Sequence, residues 1–84
     1  MGFMNKICEL INENLELKID SHEIDVNDSL ISLGMDSISF IKLVTAIEME
    51  FNIEIEDEYL FIETIDTKQK INKLLESIMK NDKF

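Results

Sequence analysis

Apolar residues recur at helical spacing in three stretches of the chain, and the polar residues between them supply its punctuation. Over Phe3 to Leu17, Met4, Ile7, Ile11 and Leu15 share a face with Leu10 beside them. A period of three to four residues predicts an amphipathic helix there. From Ser37 to Phe51 the pattern is stronger. Phe40, Leu43, Val44, Ile47 and Phe51 stand at i, i+3, i+4, i+7 and i+11 of a core-facing stripe. The third stretch has Ile71, Leu74, Leu75 and Ile78 as its buried face and begins after Asp66 or Thr67, either of which can cap it. Lys68, Lys70, Lys73 and Lys80 are expected on its other sides, and the tail from Asn81 to Phe84 is expected to fray.

Between the first two helices, Lys18 to Asp36 has weak periodicity and many Asp, Asn and Ser residues. A connection this long in a small domain is either functional or held down by its own apolar anchors. Ile24, Val26, Leu30, Ile31 and Leu33 can serve as those anchors. "NIEIEDE", Asn52 to Glu58, ends the second helix, and Asp57 to Glu63 is expected to form a short one. The expected fold is all-α: a small four-helix bundle of three main helices and one short helix, with a long loop between helices 1 and 2.

Composition narrows the class. Eighty-four residues make one small domain, 1–84, and the 45% hydrophobic share supports a packed core despite 31% charged residues. Cys8 is the only cysteine, so no intramolecular disulfide can form and a reducing, intracellular home is the simpler reading. It lies at the edge of the first stripe and reads as a packing residue, with no basic cluster near it in sequence. Net charge is −10, from 18 acidic and 8 basic residues. Such a surface repels phosphate backbones and anionic lipid, which argues against nucleic-acid or membrane partners and favours basic docking patches. Simple solubility would explain the same charge. No apolar run is long enough to span a bilayer, and the start lacks a basic region followed by an apolar one. Met1-Gly2 opens like a myristoylation signal, but Lys6 stands where Ser or Thr is wanted. The expected location is cytoplasmic.

Two chemistries can be tested against the loop. A calcium loop starting at Asp25 would use Asp25, Asn27 and Ser29 at its first ligand positions. Leu30 then falls where glycine makes the turn, and Asp36 replaces the bidentate Glu at the twelfth position. Two essential elements fail. Nucleophilic catalysis fares no better: Ser37 has no histidine near it in sequence, and "GMDSI" is not a G-x-S-x-G elbow. His22 is the chain's one histidine and reads as an exposed loop residue. The chain is therefore not expected to be an enzyme. Ser37 fits better as the site of another enzyme's chemistry.

The stretch "DSLISLGMDSISFIKLVTAIEMEFNIEIED", Asp28 to Asp57, closely resembles the phosphopantetheine-dependent carrier proteins, that is, acyl carrier proteins and the peptidyl or aryl carriers of nonribosomal peptide assembly. The elements that carry the resemblance are Gly34, Asp36, Ser37 and Ile38, then Glu48, Phe51, Ile53 and Ile55. It implies that a phosphopantetheinyl transferase attaches 4′-phosphopantetheine from coenzyme A to Ser37. Asp36 matches the family's acidic neighbour, which contacts the transferase and its metal, and Gly34 permits the turn that presents the serine. A phosphodiester there is expected to meet unpaired backbone N–H groups and the positive end of the helix dipole. Helix capping alone would explain Asp36 and Ser37 but not the whole array.

The resemblance also bears on the kind of carrier. At about 100° per residue, Ile38, Lys42, Thr45 and Met49 lie opposite the buried stripe, with Glu48 nearer its flank. Carriers of fatty-acid synthesis usually place carboxylates two and five residues after the serine, where Ser39 and Lys42 stand here. "LISLGMDSI" has the spacing of the peptide-synthetase type, although Met35 departs from its second glycine. The expected role is that of a freestanding monomeric carrier in nonribosomal peptide or polyketide-type metabolism, loaded by adenylating enzymes and served by condensing or modifying ones. Two alternatives stay open: an acyl carrier of fatty-acid synthesis, and a structural or regulatory subunit with the same fold.

Overall fold

The computed structural model describes residues 3–56 and 60–81. Its helices are α1 (Met4–Asn14), α2 (Ser37–Phe51) and α3 (Lys68–Asn81), with 3₁₀ turns at Ser21–Glu23 and Ile62–Thr64. No strand occurs among the described residues, and the all-α expectation holds. The expected short helix is different. Its first part, residues 57–59, lies outside the described residues, and its remainder holds a single 3₁₀ turn. Residues 82–84, where fraying was expected, also lie outside them.

Packing matches the sequence stripes closely. α1 lies against both α2 and α3, and Ile7, Ile11, Leu43, Ile47, Ile71 and Leu75 are almost wholly removed from water. Each such aliphatic side chain contributes about 1.5–3 kcal/mol of burial. Phe40 and Val44 complete the buried face of α2, while Phe51 sits edge-on to Phe3 with ring centroids 5.3 Å apart. Asn52 ends α2 in the left-handed region, at φ 54°, and donates its N–H to the Glu48 carbonyl. Asparagine tolerates that conformation better than most residues.

α1 stops three residues before Leu17. The Asn14 side chain donates to the Leu10 carbonyl at 2.8 Å, and Leu15 turns to extended geometry. Leu15 is nevertheless buried, so its place in the period reported burial and not helix.

The long connection is anchored as expected by Ile24 and Leu30, both buried, but Ile31 is turned out to solvent. Tight turns cause this. Leu33 and Met35 both donate to the Leu30 carbonyl and Gly34 donates to that of Ile31, so Leu30 points in and Met35, 3% exposed, becomes the next anchor. Two backbone bonds tie the connection to the start of α3: Leu30 N–H to Asp66 O at 2.8 Å and Gln69 N–H to Val26 O at 3.0 Å.

Lys68 departs most from expectation, being buried and not on an outer side of α3. It precedes Ile71 by three residues and Leu75 by seven, so it falls on the stripe itself. Its ammonium donates to the Ser21 carbonyl at 2.6 Å and lies 3.7 Å from Cys8 Sγ. Ser21 Oγ in turn donates to the Cys8 carbonyl at 2.6 Å. Cys8 is a buried packing residue, here part of a polar knot joining α1, the loop and α3. Thr67 caps α3, its Oγ1 accepting the Lys70 N–H, while the Asp66 carboxylate lies 2.9 Å from Lys70 Nζ. That approach is out of line for a hydrogen bond, which leaves an ion pair.

His22 is exposed, as expected, with Nδ1 2.8 Å from Asp20 Oδ1 and Nε2 3.1 Å from Asn5 Oδ1. Hydrogen bonds from the Asn12 side chain and then from the His22 N–H hold the Asp20 carboxyl well below the usual range. No helix among the described residues is long and apolar enough to cross a membrane. The described residues contain no cluster of His, Cys, Asp and Glu suited to a metal.

Candidate functional site

The start of α2 is built by a reciprocal pair of hydrogen bonds. Asp36 Oδ1 accepts the Ser39 N–H at 2.9 Å, and Ser39 Oγ accepts the Asp36 N–H at 2.9 Å. This is a capping box with serine in the place usually taken by Glu or Gln. The Ser39 N–H is the main reason the Asp36 carboxyl titrates below its ordinary value, followed by the Ser39 hydroxyl. Beside the carrier pattern, Ser39 stands out only as a missing carboxylate. The D-x-x-S spacing was the signal for its structural role.

Between the two capping residues stands Ser37, the first residue of α2 and exposed. No hydrogen bond reaches its hydroxyl from a described residue; the bonds at this corner run between Asp36 and Ser39. The expected set of unpaired N–H groups is therefore reduced, because the Asp36 carboxylate already holds that of Ser39.

Two residues before Asp36, Gly34 adopts φ +125°. A Cβ there would lie 3.7 Å from Leu17 Cδ2, an ordinary contact, so the backbone conformation and not crowding calls for glycine. Met35 then plugs into the core. A left-handed turn, a buried anchor and a capping box thus project Ser37 outward.

The predicted outer face of α2 is exposed at Ile38 (70%), Met49 (78%), Lys42 and Thr45. Glu48 is placed differently: it is half-buried and its Oε2 accepts the Ile55 N–H at 2.9 Å, holding the segment after α2. Ile41, half exposed, belongs to the outer face and was missed. Its position three residues after Ile38 and four after Ser37 carried that information. Ile41, Lys42, Thr45, Ala46 and Met49, with Asn14 of α1, line a shallow groove of about 340 Å³.

Among the described residues, then, three helices pack together and an exposed serine hydroxyl with no hydrogen-bond partner stands at the head of α2. A family model described as "Phosphopantetheine attachment site" matches residues 5–67, and the chain belongs to that family. It is 31% identical over 80 residues to "Acyl carrier protein 3, chloroplastic" of Cuphea lanceolata, an alignment covering 95% of this chain and 54% of that protein. It is 28% identical to "Acyl carrier protein, chloroplastic" of Brassica napus, over 95% of this chain and 58% of that one. For "Acyl carrier protein 2, chloroplastic" of Arabidopsis thaliana the identity is 29%, over 90% and 54%. The chain spans about half the length of the curated relatives it matches. As a member of that family, it has covalently attached 4′-phosphopantetheine as its cofactor. The residues at the α2 start suit such a group, since they offer an exposed, unbonded hydroxyl on a fixed helix end.

Proposed function

We propose that Ser37 is the attachment point of the arm and that the chain, as one carrier unit, shuttles acyl intermediates between biosynthetic enzymes. The observation that carries this reading is the free Ser37 hydroxyl at the first position of α2. When bound, the arm supplies a thiol that holds cargo as a thioester. The chain's own residues do the rest. Gly34 makes the turn, Met35 anchors it, and the Asp36–Ser39 box fixes the helix end so that a transferase meets one defined geometry. The Asp36 carboxyl titrates below its ordinary value, chiefly because it accepts the Ser39 N–H, and is the acidic contact offered to the transferase and its metal.

An acyl cargo, as in fatty-acid synthesis, is supported by the names of the relatives. A second reading, a peptide-synthetase or polyketide-type carrier, is favoured by the apolar outer face with Lys42 at its centre. In both readings Ile38, Lys42, Thr45 and Met49 form the docking stripe. Arm-bearing protein offered to a malonyl transferase of fatty-acid synthesis and to amino-acid adenylating enzymes separates the two. Efficient malonylation, improved further by Lys42→Glu, supports the first reading. Loading by an adenylating enzyme alone overturns it.

A further inference from the structure

The two grooves nearest the head of α2 meet at shared residues. One, of about 290 Å³, is lined on the α2 side by Asp36, Ile38, Ser39 and Lys42. The other, of about 410 Å³, lies against the loop and is lined by Leu17, Lys18, Ile19, Ser32 and Leu33. Glu16 and Gly34 belong to both. The nearer groove is bordered by both chain neighbours of Ser37, and the farther one continues from it away from α2.

The chemistry changes along that line. Near Ser37 the lining is polar, with Lys42 cationic and Asp36 and Glu16 anionic. Beyond Gly34 it turns apolar, and Ile19 is 46% exposed although it is a large aliphatic residue in an otherwise polar segment. Phosphopantetheine has the same order from its attachment point: a phosphodiester, a branched dimethyl carbon, then two amides and the thiol. Lys42 can face the phosphodiester, and Ile19, Leu17 and Leu33 can pack the methyl groups. Gly34 carries no side chain to block the passage between the grooves.

We propose that the arm on Ser37 rests in this loop-side trough between loading events, held by Leu17, Ile19 and Leu33 with Glu16 at the junction. The proposal rests on Ser37 being the attachment point. A resting arm keeps its thiol beside the protein and returns it to a partner without displacing a buried core residue, because Ile19 and Leu33 stand outside the core cluster and Leu17 is packed only at its edge. The small apolar area involved makes the contact weak and reversible, as a shuttle requires.

The test compares methyl spectra of the full chain before and after modification with coenzyme A and a broad-specificity transferase, with intact mass confirming the added arm. The expected result is shifted Leu17, Ile19 and Leu33 methyl signals and nuclear Overhauser contacts from the arm's dimethyl protons to Ile19. Ile19→Ser, a change at a half-exposed position, should abolish the arm-induced shifts of the Leu17 and Leu33 methyl signals while leaving modification intact, and Leu33→Ala should weaken the contacts to Ile19. Shifts confined to residues 36–39 would mean a free arm and overturn the proposal. Contacts to Val44 and Leu75 would place the arm in the helix interior and overturn it equally. A chain that gains no mass at Ser37 overturns the attachment reading itself, a failure separate from an attached but unbound arm.

Discussion

At the scale of single residues, the head of α2 depends on three side chains and one missing one. Gly34 has room for a methyl group but sits at φ +125°. Gly34→Ala should therefore cost about 1–3 kcal/mol through backbone strain, read as a lowered midpoint in urea unfolding. Asp36 works through charge. Its folded carboxyl titrates below the ordinary value because of the Ser39 N–H, so its stabilisation is full above about pH 4 and is lost as pH falls through the lower folded value. Asp36→Asn keeps a capping acceptor but no charge. The stability gap between wild type and Asp36→Asn should be present at neutral pH and close in acid; a gap that widens on acidification would contradict this assignment. Ser37 and Gly34 were legible as a motif. Met35 was not, since its burial results from the turn that Leu30 initiates.

At the scale of elements, α2 was readable almost to the residue because a helix closed by a capping box at one end and left-handed Asn52 at the other leaves little freedom. α1 was overextended, since an Asn side chain ended it where no sequence period changes. Lys68 misled for a different reason: charge suggested an outer face while spacing placed it on the stripe. The structure resolves the conflict by giving its ammonium the Ser21 carbonyl. Lys68→Ala should cost about 1–3 kcal/mol by removing the charged donor's bond to that carbonyl, which keeps the Ile24 N–H, together with the packing of the lysine stem, and Lys68→Met, which keeps the apolar stem, should cost less. Equal losses in urea unfolding would assign the whole effect to the lost bond. On the core side, Leu75→Ala should cost about 2–5 kcal/mol, against a near-neutral Ile38→Ala at an exposed position.

The whole molecule carries a net charge of −10, and its exposed apolar groups include three on one helix, Ile38, Ile41 and Met49. Acidic surroundings with an apolar stripe suit partners that are steered by charge and held by contact. Association with a basic partner enzyme should slow as salt rises, whereas Met49→Ala should mainly hasten dissociation, both read by stopped-flow binding. The carrier family could be read from the array around Ser37, but the pathway could not, because a loading enzyme chooses cargo. The relatives' names favour acyl cargo over the peptide-type reading suggested by the α2 face. The central claim, that Ser37 bears the arm, is tested most directly by incubating the chain with coenzyme A and a broad-specificity phosphopantetheinyl transferase, then measuring intact and peptide masses. The account predicts one phosphopantetheine on the peptide containing Ser37 and none on Ser37→Ala. A folded chain that several transferases leave unmodified, or modify elsewhere, would contradict it.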